Sequence, residues 1–261
     1  MDFASFYDKQ PDYVAFRTDP KKREDYSIAV DWKVRKLIQL IPAELKFGNI
    51  LEVGCAFGVL LNILGERLNI RTRSGIDISQ ENINVARNLY PDCCFFHGTL
   101  EEYINVKTSG KNDYYFDLIV LSDIIEHLPD DLGFMKMVRG MSSYVLLNLP
   151  LEKSLKTKNR EYGEQDLSGH LRSYDIDLAN RLVSMAGFEV VTSFTSMAST
   201  DKRFYEMYKQ NRKLRVRSKP LHLRFFWSLF YFFEDRMKLI SSRFSEKIYG
   251  TNYFALLKSI K

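Results

Sequence analysis

Asn49-Ile50-Leu51-Glu52-Val53-Gly54-Cys55-Ala56-Phe57-Gly58-Val59-Leu60-Leu61 reads as a buried strand, a glycine turn and the start of a helix. Ile50, Leu51 and Val53 suit a short parallel strand covered on both faces. Gly54 and Gly58 permit tight backbone geometry and the close approach of a ligand. Such a turn presents backbone N–H groups at a helix N-terminus. Glu52 precedes it, and a pyrophosphate-binding loop has no use for that negative charge, whereas a cationic ligand does.

Asp77 ends the short apolar segment Ser74-Gly75-Ile76-Asp77-Ile78-Ser79, nineteen residues after Gly58. A nucleoside-binding fold places its ribose-binding acid about 20 residues beyond the glycine loop, at the end of the second strand. Asp77 fits that role; read alone, it equally fits a helix cap or a turn acid. S-adenosylmethionine combines a ribose with a sulfonium and an ammonium group, so Glu52 and Asp77 together point to that cofactor.

Glu52-Val53-Gly54-Cys55-Ala56-Phe57-Gly58 resembles the acid-x-Gly-x-Gly-x-Gly loop of class I S-adenosylmethionine-dependent methyltransferases, with Ala56 at the middle glycine. Gly75–Ser79 resembles the second motif of that family, and Phe116-Asp117-Leu118-Ile119-Val120-Leu121-Ser122-Asp123-Ile124-Ile125-Glu126-His127-Leu128 its fourth strand and following loop. Val145–Pro150 resembles the fifth strand. Gly169-His170-Leu171-Arg172-Ser173-Tyr174 and Ala186–Val190 resemble the later half of small-molecule, lipid and sugar members. The resemblance spans residues 48 to 194 and the last strand. It implies an α/β, Rossmann-like, doubly wound seven-stranded sheet, mostly parallel with an antiparallel last strand. It also implies a cofactor site drawn from Glu52, Gly54, Cys55, Ala56, Gly58, Asp77, Ile78, Thr99, Leu100, Ser122 and Asp123. Many members carry an acid where Thr99 stands, which leaves the adenine contact to the Leu100 backbone or Glu101.

The remaining pattern agrees with one sizeable core. The chain has 261 residues, 45% of them hydrophobic, and no window approaches the ~20 apolar residues of a membrane span. Met1-Asp2-Phe3-Ala4 lacks the basic start and apolar core of a cleavable signal. Cys55, Cys93 and Cys94 have no metal-ligand spacing and read as reduced thiols of a cytoplasmic protein. Residues 1–24 read as irregular and 25–41 as an amphipathic helix, the segment 1–47 covering the active site. Strands are expected at 49–53, 72–77, 93–97, 116–121, 143–148, 188–194 and 249–258. Helices are expected at 58–69, 80–89, 99–104, 130–140 and 175–186. Strands alternating with helices imply parallel pairing and right-handed crossovers. Gly54, Asp77, Thr99, Asp123 and Asn148 then share the carboxyl edge of the sheet, where such folds bind ligands.

The methyltransferase core takes 48–198 and 249–261. Between them, 199–248 is far longer than an ordinary connection and is expected to be a helical insertion. Residues 201–249 hold thirteen Lys and Arg against five Asp and Glu, so this segment carries the positive charge of a chain whose total is +5. Its centre is Leu221-His222-Leu223-Arg224-Phe225-Phe226-Trp227-Ser228-Leu229-Phe230-Tyr231-Phe232-Phe233. It reads as a cap packed on the core or on a second subunit of a homodimer, as a peripheral membrane contact, or as a nucleic-acid grip. The aromatic density suits the first two better.

Methyl transfer is an in-line displacement in which the protein aligns the nucleophile and excludes water; a hydroxyl acceptor must also lose its proton. His127 and His170 follow the fourth and fifth strands and are candidate bases, an imidazole titrating near ~6.5, with loop-ordering roles as the alternative. Asp123 is a candidate acceptor contact. No cluster with metal-ligand spacing is visible, so no metal is expected. The segment after the fourth strand lacks Asn/Asp-Pro-Pro-aromatic and no cysteine follows a proline, which disfavours nucleic-acid bases as acceptors. Transfer to a hydroxyl of a small molecule, glycan or lipid-linked acceptor leads, followed by C- or N-methylation of a natural-product intermediate. A non-catalytic protein that keeps the cofactor fold is the alternative of another class.

Overall fold

A computed structural model describes residues 3–108, 115–163, 166–240, 247–248 and 250–260. Seven strands form one sheet: β1 (Asn49–Val53), β2 (Thr72–Asp77), β3 (Cys94–His97), β4 (Phe116–Ser122), β5 (Ser142–Leu151), β6 (Phe188–Ser196) and β7 (Thr251–Ser259). Their order is β3-β2-β1-β4-β5-β7-β6, with β7 antiparallel to both its neighbours and the other pairs parallel. The expected Rossmann-like sheet is therefore present. The order reverses between β1 and β4, so the crevice at their carboxyl ends is the natural ligand position.

Ten α-helices are present among the described residues: α1 (Phe3–Lys9), α2 (Pro11–Thr18), α3 (Pro20–Ile38), α4 (Val59–Arg67), α5 (Gln80–Leu89), α6 (Leu100–Thr108), α7 (Asp131–Met141), α8 (Ile176–Met185), α9 (Lys202–Arg217) and α10 (Leu221–Ile240). Period-2 alternation along the strands divides the core. Leu51, Val53, Ile119, Leu121, Val145 and Leu147 face α6, α7 and α8. Ile50, Leu118, Val120 and Leu146 face α2, α3 and α4. Glu52 shares the second face with Ile50, which directs its carboxylate toward the start of α4.

The N-terminal region corrects the sequence reading. Residues 3–9 and 11–18 are helical rather than irregular, and α3 begins at Pro20 rather than near residue 25. The start signals are local: the Gln10 side chain accepts hydrogen bonds from the Asp12 and Tyr13 N–H groups ahead of Pro11, and Asp19 accepts from Lys21 N–H ahead of Pro20. Proline suits the first helical turn because its missing N–H would be unpaired there anyway. These helices dock on the sheet edge: Phe16 stacks on Phe57 of the glycine loop with centroids 3.8 Å apart and planes 9° apart.

Helices α9 and α10 lie between β6 and β7. Asp201 caps α9 and pairs with Arg35 of α3 at 2.7 Å, and Phe204 packs beside Trp32 with centroids 5.9 Å apart. The Arg212 guanidinium sits over Tyr208 of α9 and Tyr231 of α10, at 4.3 and 4.5 Å. Among the described side chains of α10, Leu221, Phe225, Phe226, Phe230, Phe232 and Phe233 are exposed, Phe225 to 78%. Residues 241–246 of the expected insertion, and Tyr249 at the expected start of the last strand, lie outside the described residues.

Candidate active site

The carboxyl ends of β1, β2, β3 and β4 surround a cavity of about 310 Å³. Parallel register brings Val53 beside Ile76 and Leu121, and Asp77 beside His97. Gly54, Asp77, Ile78, Thr99, Leu100, Asp123 and His127 line the cavity, as the sequence reading expects of a shared edge. Glu52, Cys55, Ala56, Gly58, Ser122 and His170 are not on its wall. Phe3, Tyr7 and Tyr13 close it from α1 and α2, within the segment 1–47 expected to cover the site, although the sequence singles out none of the three because they lie far upstream of every motif.

The glycine loop is held from below. Gly54 and Cys55 donate to the Ile76 carbonyl at 2.8 and 2.9 Å. Gly54 has φ +76°, a left-handed conformation that favours glycine, and a Cβ there would stand 2.8 Å from the terminal methyl of Ile124, which would have to turn aside. Ala56 has φ +44°, a left-handed conformation unfavourable for an L-residue. Its N–H donates to Asp77 Oδ2 at 2.8 Å, while Ser79 N–H donates to Asp77 Oδ1 at 2.9 Å. Asp77 therefore fixes the loop while standing at the cavity edge. Burial pushes its carboxyl above the usual range, opposed by these N–H donors.

Glu52 has a structural partner. Gly58 occupies the N-cap position of α4 without a side chain to cap it, and Leu61 N–H donates instead to Glu52 Oε2 at 3.0 Å. The strand thus supplies the acceptor that the loop lacks, and a negative charge at a helix N-terminus is favourable. Glu52 is buried, which pushes its carboxyl well above the usual range. Thr99 also has a local partner: its N–H donates to Glu102, and Glu102 N–H donates to the Thr99 hydroxyl, a capping box that starts α6.

The acceptor side is assembled from distant segments. Asp123 has φ +54° and pairs with Lys33 of α3. Asn148 Nδ2 donates to Ser122 Oγ and Asp123 Oδ1 at 3.0 and 3.2 Å. A short 3-10 helix, Ile125–His127, follows. Leu171 N–H donates to the Glu126 carbonyl at 2.8 Å, which brings the segment after β5 against this turn. His127 Nδ1 lies 2.9 Å from both the Gly169 carbonyl and the Tyr7 hydroxyl. His170 Nδ1 lies 2.7 Å from Glu152 Oε2. Arg160 holds Glu152 at 2.9 Å and chelates Asp166 with contacts of 2.6 and 2.7 Å. The two imidazoles meet edge to face, with centroids 4.7 Å apart. Burial lowers the His127 pKa to about 4, so its ring is neutral at neutral pH.

Glu126 sits behind these rings at 1% exposure, and neither carboxylate oxygen has a hydrogen-bond partner. Burial and the nearby Asp123 carboxylate push its carboxyl well above the usual range. One ligand atom from each of Glu126, His127 and His170 lies within 4.8 Å of the others. His170 comes from a separate loop, which is why no such cluster is visible in the sequence.

The edge fits S-adenosylmethionine by its own chemistry. A carboxylate held by two backbone N–H groups stands at the cavity wall, a glycine turn follows β1, and the walls are largely apolar. The family described as a methyltransferase domain matches residues 26–193, more than half of the chain. Magnesium protoporphyrin IX methyltransferase from Synechocystis PCC 6803, solved with bound SAH, superposes with TM-score 0.57 at 12% identity, over 98% of each chain. A plantazolicin methyltransferase in complex with a triazolic desmethylPZN analog and SAH gives 0.53 at 14% identity, over 98% of each chain. The cyclase SpnF gives 0.55 at 12% identity, over 88% of this chain and 80% of that one. At such identities the structural likeness concerns the fold, and SpnF shows that this fold also serves a cyclase. No curated protein matches the chain in sequence. The match over residues 26–193, on a sheet of this order with this glycine edge, places the chain in the methyltransferase-domain family as a methyltransferase that takes its methyl group from S-adenosylmethionine.

Proposed function

We propose that this enzyme methylates a hydroxyl oxygen of a small-molecule, glycan or lipid-linked acceptor. The observation that carries this reading is the paired imidazoles, His127 and His170, beside the cavity that Asp77 and Gly54 border. S-adenosylmethionine supplies an electrophilic methyl group when bound. Asp77 would hold its ribose, and Gly54, Ala56 and Leu100 would shape its seat, with Glu52 beneath. As the O–C bond forms and the C–S bond breaks, the hydroxyl proton must leave. Glu152 and the Gly169 carbonyl each take an Nδ1–H, which leaves the two Nε2 lone pairs available to that proton. Asp123, held by Lys33, would position the acceptor. Tyr7 and Tyr13 would exclude water, as methyl transfer requires. The plantazolicin enzyme suggests a natural-product nitrogen or carbon acceptor as the next class. Incubation with methyl-labelled donor and matched acceptors bearing only a hydroxyl, an amine or an activated carbon separates the readings. Label is expected on oxygen, and label confined to nitrogen or carbon overturns the proposal.

Residues 199–248 would form an addition to the core made of 48–198 and 249–261, with 1–47 as the cover. Helix α10 favours a membrane-surface role: its exposed Phe side chains lie beside Arg224 and Lys219, and Lys219 Nζ is 5.6 Å from the Trp227 ring. Aromatic and basic side chains together suit an anionic headgroup region. Among the described residues no helix is long and apolar enough to cross a membrane. The full chain is expected to float with vesicles containing anionic lipid, and a variant lacking 199–248 to stay at the bottom of the gradient. Equal behaviour of the two would sink this role, and dimerisation through α10, seen by light scattering, would replace it.

A further inference from the structure

We propose that Glu126, His127 and His170 bind a divalent transition-metal cation of the zinc, cobalt and manganese class. Three observations converge. The three side chains already bring one ligand atom each within 4.8 Å of the others, and His127 Nε2 stands 3.9 Å from Glu126 Oε1. Ligand atoms around one tetrahedral zinc ion lie about 3.4 Å apart, so small side-chain rotations close the site.

The second observation is Glu126 itself. It is 1% exposed with both oxygens unpartnered, although buried carboxylates are ordinarily hydrogen-bonded or paired. Among the described residues, the charged side chains around it are the carboxylates of Asp123 and Glu152 and a single cation, Lys33. Lys33 pairs with Asp123 and not with Glu126. A cation at the cluster would give this carboxylate the partner it lacks.

The third is the orientation of the imidazoles. His170 Nδ1 faces the Glu152 carboxylate, and His127 Nδ1 lies 2.9 Å from both the Gly169 carbonyl, which can only accept, and the Tyr7 hydroxyl. With Nδ1 as the donor, Nε2 keeps its lone pair for a ligand. Metal-binding histidines are held this way, by a carbonyl or carboxylate on the opposite nitrogen. Arg160, bound to Glu152 and Asp166, steadies the carboxylate that orients His170. Two imidazoles and one carboxylate favour zinc, cobalt, manganese or iron over magnesium and calcium, which prefer oxygen ligands.

Three protein ligands leave a coordination position open. His127 belongs both to this cluster and to the cavity wall, so the open position adjoins the acceptor side. With the ion bound, both Nε2 lone pairs are on the metal and the imidazoles no longer act as bases: a hydroxyl at the open position is acidified by the ion, its proton passes to solvent, and the alkoxide is the nucleophile. This role rests on the hydroxyl-acceptor reading, whereas binding of the ion does not.

The full-length chain, stripped by chelator and dialysed, is titrated with cobalt(II) followed by its visible spectrum, and with zinc and magnesium by calorimetry. One cobalt per chain is expected, with visible bands of a low-coordinate site and weaker affinity for magnesium. Glu126→Gln, which removes charge while keeping shape, is expected to lower cobalt affinity at least tenfold, and His170→Gln likewise. Glu152→Gln, which keeps an acceptor for His170, is expected to weaken it less. Failure of the wild-type chain to bind one ion, or equal binding by Glu126→Gln, overturns the site. Calorimetry with S-adenosylmethionine on the same samples tells failure of the ion apart from failure of the methyltransferase reading.

Discussion

Asp77→Ala is expected to lower the affinity for S-adenosylmethionine about 100-fold or more. The carboxylate stands at the end of β2, fixed by N–H groups of Ala56 and Ser79 at 2.8 and 2.9 Å, and at the wall of the cavity. Two ribose hydroxyls donating to it form charge-assisted hydrogen bonds worth about 1.5–3 kcal/mol each, and about 1.4 kcal/mol is a factor of ten. The substitution also frees Ala56, whose φ of +44° is sustained by its bond to Asp77. Asp77→Asn keeps one acceptor and is expected to fall between the two. Calorimetry with S-adenosylhomocysteine and its 2′-deoxy analogue separates loop from ribose: the hydroxyl should matter in wild type and lose its effect in Asp77→Ala. Affinity within threefold of wild type for Asp77→Ala would refute the ribose assignment.

Glu52 is expected to give two separable effects. Glu52→Ala leaves Leu61 N–H without its acceptor and opens a void beneath the loop, a loss of about 2 kcal/mol by comparison with other helix caps and buried hydrogen bonds. At this chain length that lowers Tm by roughly 4–8 °C. Glu52→Gln keeps a carbonyl acceptor for Leu61 and matches the size and neutrality of the protonated buried carboxyl, so its Tm should stay near that of the wild type. Its S-adenosylmethionine affinity should nevertheless fall about tenfold, a charge effect of about 1.4 kcal/mol, with a smaller loss for S-adenosylhomocysteine, which lacks the sulfonium. Linkage gives a further sign. Burial holds the Glu52 carboxyl well above the usual range; a bound cation favours the ionised form, so donor binding should release a proton. Calorimetry in buffers of different ionisation enthalpy measures that release. Equal weakening of both ligands, with no proton released, would leave Glu52 as a helix cap alone.

The legible part of the site is local. β1, the glycine turn and α4 are contiguous, and period-2 alternation shows which strand faces are buried. Asp77 is legible because one crossover has a nearly fixed length. The same locality conceals second roles. Glu52 looks like a ligand contact until the face it shares with Ile50 is seen to meet α4. Thr99 looks like a missing acid, although Thr99-Leu100-Glu101-Glu102 spells a capping box. Residues 1–24 look irregular because their aromatic content masks two proline-led helix starts.

The acceptor side is decided by chain closure. Tyr7 meets His127 from 120 residues away, and Lys33 meets Asp123 from 90. Glu152 reaches His170 across a loop. Side-chain types can be read one by one, but an apolar sequence pattern carries no signal of which polar groups will converge. In α10, likewise, hydrophobicity is plain in the sequence, whereas its exposure is a property of the packed chain. The sequence by itself determined the strand–helix alternation and the glycine edge, because hydrophobic periodicity and turn chemistry are short-range, and the family resemblance of its motifs supplied the sheet order and the methyl donor. Only the tertiary structure decided the lid of α1 and α2, the cap role of Glu52 and the Glu126–His127–His170 cluster, because those depend on contacts between residues remote in the chain.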